Sequence, residues 1–126
     1  MTKHEGGCDC GRVRYAVTGD PTRVGLCHCR DCRHESGSAF TFFASWPREA
    51  FSGGGPAAVW KGRSFCPTCG TRLYTLSETE VGIRLGSLDD APCGFAPHME
   101  VWVKRREPWC PALADEQYSE DPPLRP

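Results

Sequence analysis

The chain contains no apolar run long enough to cross a membrane, and its opening, MTKHEGGCDC, lacks the hydrophobic stretch of a signal peptide. The expectation is a protein with no membrane segment, in the cytoplasm, where thiols stay reduced. There is no excess of positive charge either. Fifteen Lys and Arg stand against 16 Asp and Glu, for a net charge of −1, which weighs against nucleic acid or anionic lipid as a partner. No internal repeat is present. Room for long helices is also lacking, because 11 prolines and 14 glycines punctuate the whole sequence. At 126 residues the chain suffices for one domain with a modest core, near the size where metal ions help stability.

What the chain does have is cysteine. Its nine cysteines fall in clusters: Cys8 and Cys10, then Cys27, Cys29 and Cys32, then Cys66 and Cys69, with Cys93 and Cys110 alone. A disulfide framework fits poorly with an odd count and no export signal. Clustered spacing of this kind points to metal.

Between the clusters, apolar residues alternate over short segments. Val13, Tyr15 and Val17 mark a strand over 12–19. TRVGLCHC (22–29) reads as a strand delivering cysteines at its end, and RDCRHES (30–36) as one helical turn. SAFTFFASW (38–46) reads as a buried aromatic strand, and FSGGGP (51–56) as a turn. Short strands follow at 57–62 and 63–66. A hairpin arm over 69–77 buries Leu73 and Leu76, and strands at 81–88 and 100–105 complete the pattern. Many short strands between turns predict a mainly β domain over 1–112. Residues 113–126, acidic and rich in proline, predict a surface tail that is partly disordered.

The two metal-ligand patterns differ in logic. FCPTCG (65–70) is a knuckle: two cysteines flank two residues, and Gly70 permits the positive φ the turn needs. GGCDCG (6–11) supplies the other two sulfurs, with Gly6, Gly7 and Gly11 letting the backbone curl around a metal. Cys8, Cys10, Cys66 and Cys69 thus make a closed, structural four-thiolate zinc site. LCHCRDC instead offers three sulfurs, Cys27, Cys29 and Cys32. Three protein ligands with an open position is the usual form of a catalytic zinc, and such an ion suits an exogenous thiol as its fourth ligand. His28 or His34 could instead close the site. His28, lying between two ligands, reads more naturally as a supporting or core histidine.

GGCDCGRVRY, LCHCRDCRHESGSAF, GRSFCPTCGTRLY, GSLDD and VWVKRREPW, in this order from about Gly6 to Trp109, resemble the glutathione-dependent formaldehyde-activating enzyme family, which also contains centromere protein V. The resemblance implies a fold of twisted β-sheets with zinc knuckles, similar to that of methionine sulfoxide reductase B and a zinc-binding Rab-interacting chaperone. It implies two zinc ions per chain: a structural one at Cys8, Cys10, Cys66 and Cys69, and a catalytic one at Cys27, Cys29 and Cys32. It also implies a carbon–sulfur lyase activity, joining glutathione to formaldehyde to give S-hydroxymethylglutathione. Arg30, Arg33 and His34 lie beside the ligands, where an arginine could pair with a glutathione carboxylate or merely balance thiolate charge. The family often has a histidine where this chain has Glu100, with His98 two residues earlier. Either could serve, or neither, and Glu100 reads first as an edge-strand charge.

Two other functions compete. A non-catalytic zinc module could bind protein or nucleic acid, with Phe40, Phe42, Phe43 and Trp46 as stacking platforms and KRR (104–106) as a basic patch, although clustered aromatics read first as core. Methionine sulfoxide reduction would need Cys93 or Cys110 as nucleophile, and neither lies in a recognisable catalytic motif.

Overall fold

A computed structural model describes residues 1–123. The chain is mainly β: β1 Lys3–Gly7, β2 Arg14–Thr18, β3 Arg23–Cys27, α1 Arg30–Ser36, β4 Thr41–Pro47, β5 Phe51–Gly53, β6 Ala58–Trp60, β7 Arg63–Phe65, β8 Arg72–Leu76, β9 Glu80–Arg84, β10 Met99–Val101 and β11 Glu116–Gln117. No helix among the described residues is long and apolar enough to cross a membrane. The chain folds as two compact units, Met1–Thr22 with Ala44–Gly94, and Arg23–Phe43 with Phe95–Pro126.

The first unit contains the antiparallel sheet β1-β2-β5 and the antiparallel meander β6-β7-β8-β9. Val13, Tyr15 and Val17 are buried as their alternation predicts, and so are Val81, Ile83 and Leu85. Tyr15, Phe51 and Tyr74 pack ring to ring, with centroids 4.9–6.2 Å apart. Trp46 is fully buried, and its indole N–H donates to the Gly19 carbonyl at 3.0 Å. On β8 the buried pair is Leu73 and Tyr74, while Leu76 is half-buried. Leu73 and Leu76 are three apart, so a strand sends them to opposite faces.

In the second unit β10 runs parallel to β3 on one side and to β11 on the other. Two expectations are corrected here. The segment 100–105 does not continue as a strand: β10 ends at Val101, Trp102 turns into the left-handed region at φ 59°, and Val103–Arg105 form a 3-10 turn. The cause lies in the residues read as a tail. The amides of Trp102 and Val103 donate to the carbonyls of Glu120 and Tyr118. The described part of that tail is therefore docked. Glu116 N–H donates to the His98 carbonyl at 3.1 Å and Tyr118 N–H to that of Glu100 at 2.9 Å. Its polar side chains also find the basic patch: Lys104 pairs with Glu120, and Arg106 donates to the Gln117 side chain at 2.6 Å. Only 124–126 of the predicted tail lie outside the described residues.

Candidate metal centres

The first cluster is built on two hairpin turns of the first unit. Cys8 and Cys10 lie in the turn between β1 and β2, and Cys66 and Cys69 in the turn between β7 and β8. A register shift between Ser64 and Phe65 precedes Cys66 and re-aims the strand end. Gly70 adopts φ 82°, as the knuckle requires, and its N–H closes the turn on the Cys66 carbonyl at 2.8 Å. Gly11, also at φ 82°, does the same for Cys8 at 3.1 Å. Gly6 and Gly7 do not curl. They are β1 residues, and a Cβ on Gly6 would lie 2.5 Å from the Ser87 carbonyl oxygen and the Tyr15 hydroxyl. Their glycine serves close packing.

The four sulfurs lie within 4.8 Å of one another. Cys8 and Cys10 Sγ are 3.5 Å apart, and Cys10 and Cys66 Sγ 3.7 Å. A tetrahedral zinc with its sulfurs at ~2.3 Å sets ligand sulfurs ~3.8 Å from each other, so the donor set fits that ion. Thr71, which the sequence gave no reason to single out, laces the two turns. Its hydroxyl accepts from the Asp9 N–H at 3.1 Å and lies 3.3 Å from Cys69 Sγ. That hydroxyl, then the Thr71 amide, pulls the Cys69 thiol down to about 5. The Arg12 amide favours the Cys10 thiolate, but desolvation and the neighbouring sulfurs outweigh it and push Cys10 up to about 11. Four sulfurs this close cannot all ionise together without a cation.

The second cluster marks the passage from β3 into α1. Cys27 ends the strand, Cys29 caps the helix with its sulfur accepting from the Cys32 N–H at 3.3 Å, and Cys32 lies in the first turn. Gly37, at φ 62°, closes α1, and the helix runs two turns rather than one. The three sulfurs lie within 4.8 Å of one another, and no histidine nitrogen or carboxylate joins them among the described residues. His28 and His34 do not close the site. The sulfur of Cys32 beside it, together with burial, raises the Cys27 thiol far above its ordinary range. Burial likewise raises Cys29. Both would remain protonated unless a cation displaced the protons.

His28 is completely buried, and its Nε2 lies 2.7 Å from Glu100 Oε1. Glu100 is no edge-strand charge: it is completely buried on β10, which pairs with β3 on one side and β11 on the other. His98 is engaged at both nitrogens, Nε2 accepting from the Val24 amide at 3.1 Å and Nδ1 donating to Glu116 Oε2 at 2.9 Å. Beside α1 an open groove of about 660 Å³ is lined by Arg30, Arg33, His34, Gly37, Ser38 and Arg105. Arg33 is committed, donating to the Arg105 carbonyl at 3.1 Å and pairing with Glu107. Arg30, largely exposed, lies 3.6 Å from its neighbour Asp31. Of the aromatics, Phe40 packs on His28 with ring centroids 5.5 Å apart, and Phe42 and Phe43 are half-buried. Cys93 and Cys110 stand outside both clusters.

The family whose members are described as glutathione-dependent formaldehyde-activating enzymes matches residues 3–105, a span that contains both clusters. The chain belongs to this family. A crystal structure of a Rhodobacter sphaeroides protein from a structural genomics programme shares the fold, with a TM-score of 0.58 and 20% identity over 74% of this chain and 97% of that one. No match was found among curated proteins. Members of the family are associated with glutathione and formaldehyde by name, and in this member two cysteine clusters could hold metal ions.

Proposed function

We propose that this chain is a zinc-dependent carbon–sulfur lyase-type enzyme that joins glutathione to formaldehyde, giving S-hydroxymethylglutathione. The observation that carries the reading is the three-sulfur cluster with no fourth side-chain ligand among the described residues, in a chain of this family. Cys8, Cys10, Cys66 and Cys69 would hold a structural zinc, and Cys27, Cys29 and Cys32 a catalytic one. A zinc ion held by three thiolates lowers the pKa of a fourth thiol, so that a sulfur nucleophile is present at neutral pH.

The residues around the cluster supply position. Glutathione is anionic, and the groove beside α1 presents Arg30 and Arg105 for its carboxylates, since Arg33 is held by Glu107. Cys29 and Cys32 are only half-buried, so a thiol has a path to the cluster. The new bond joins the glutathione sulfur to the carbonyl carbon. The carbonyl π pair passes to oxygen, and the thiol proton, released to water, is replaced there by another from water. The uncatalysed addition is already easy, so orientation is the main contribution the protein makes. Exchange NMR with ¹³C-formaldehyde and glutathione tests the proposal. Interconversion faster than the background, and no longer so in Cys29→Ser, supports it. Background rates in the zinc-loaded protein refute it.

A further inference from the structure

The buried pair His28–Glu100 lies beside the second cluster without belonging to it. We propose that Glu100 is a positioning residue for the second metal site, and that the docked segment 113–118 forms the other half of the same device. The inference rests on the reading of Cys27, Cys29 and Cys32 as a metal site.

His28 stands between two of the three sulfur-bearing residues and is held twice. Its N–H donates to the Val101 carbonyl at 3.1 Å, and its ring donates through Nε2 to Glu100 Oε1 at 2.7 Å. The other ring nitrogen, Nδ1, is buried with no hydrogen-bond partner. Glu100 is therefore the ring's single polar anchor among the described residues. A carboxylate without solvent exposure is costly unless donors surround it, and here they come from the C-terminal segment. Glu100 Oε2 accepts from Leu113 N–H at 2.6 Å, Ala114 N–H at 3.2 Å and the Gln117 amide at 2.7 Å, with Arg106 at 3.8 Å. Tyr118, from the same segment, packs on the cluster of Cys27, Met99 and Val101 that also receives Cys29 and Cys32. One carboxylate thus joins the backbone between two ligands to a segment that begins beyond the family-matched residues. Weakening that join lets the segment from Cys27 to Cys29 relax, while the first cluster keeps its own turns.

The test uses the full chain loaded with cobalt(II), whose thiolate absorption reports each site. The wild type is expected to take two ions. In Glu100→Gln and in Gln117→Ala, chelator competition should show the second ion held about 10- to 100-fold more weakly, with its absorption shifted and the first ion unchanged. If the wild type takes only one ion, the metal-site reading falls, and this inference with it. If it takes two and both variants keep the second ion with unaltered affinity and spectrum, the positioning role is overturned and the metal-site reading stands. Equal loss of both ions in both variants overturns it too, since that is general unfolding. Should Glu100→Gln fail to fold, Gln117→Ala decides.

Discussion

Cys66 and Cys29 each contribute one sulfur to a cluster, but their surroundings differ. Cys66 is almost completely buried and helps fasten the β7–β8 turn to the β1–β2 turn. Structural zinc contributes folding free energy on the order of 10 kcal/mol, comparable to the whole stability of a domain. Cys66→Ser is therefore expected to abolish the cooperative thermal transition followed by circular dichroism. Cys29→Ser, at a half-buried helix cap, should retain that transition and lose one ion per chain by elemental analysis. If the two variants unfold alike, the division of roles is wrong. Gly6→Ala tests packing without metal chemistry. The added methyl meets the Ser87 carbonyl and the Tyr15 ring, and a destabilisation of about 1–3 kcal/mol is expected in denaturant melts. A wild-type midpoint would mean that β1 and its neighbours yield more readily than their geometry implies.

At the scale of elements, α1 is fixed by its two ends. Cys29 caps one, and Gly37 closes the other in the left-handed region, with open space where a Cβ would stand. Gly37→Ala should thus act through backbone strain alone, roughly 1–2 kcal/mol, seen as faster amide exchange in α1; unchanged exchange would contradict this. Strand β10 carries a pH dependence. Burial disfavours the Glu100 carboxylate, but the donors Gln117, Leu113 and His28 outweigh it and hold the group below the ordinary carboxylate range. The unfolded chain then binds the proton more readily than the folded one. The stabilisation is present above the unfolded glutamate pKa and is lost as pH falls through the folded value. Denaturant melts from pH 7 downward should show this acid loss, flattened in Glu100→Gln; parallel curves for both proteins would contradict it. The alternation of Val81, Ile83 and Leu85 made β9 readable, and cysteine spacing made both clusters readable. Glu100 and β11 were not, because a buried carboxylate and a two-residue parallel strand depend on partners far along the chain. Thr71 was hidden for the same reason: its hydroxyl serves a residue 62 positions away.

For the molecule as a whole, the two clusters lie in different compact units and have different completeness. One brings together four sulfurs, the other three. The fold class followed from short alternating strands, and the acidic C-terminal segment misled because composition alone does not show that Lys104 and Arg106 receive it. The central claim is that the three-sulfur cluster holds an ion with room for an external thiol. Native mass spectrometry of the zinc-loaded protein, with and without millimolar glutathione, tests it most directly. The account predicts two zinc ions per chain and a glutathione adduct that Cys29→Ser no longer forms. One zinc ion, or two with no glutathione bound, would contradict it.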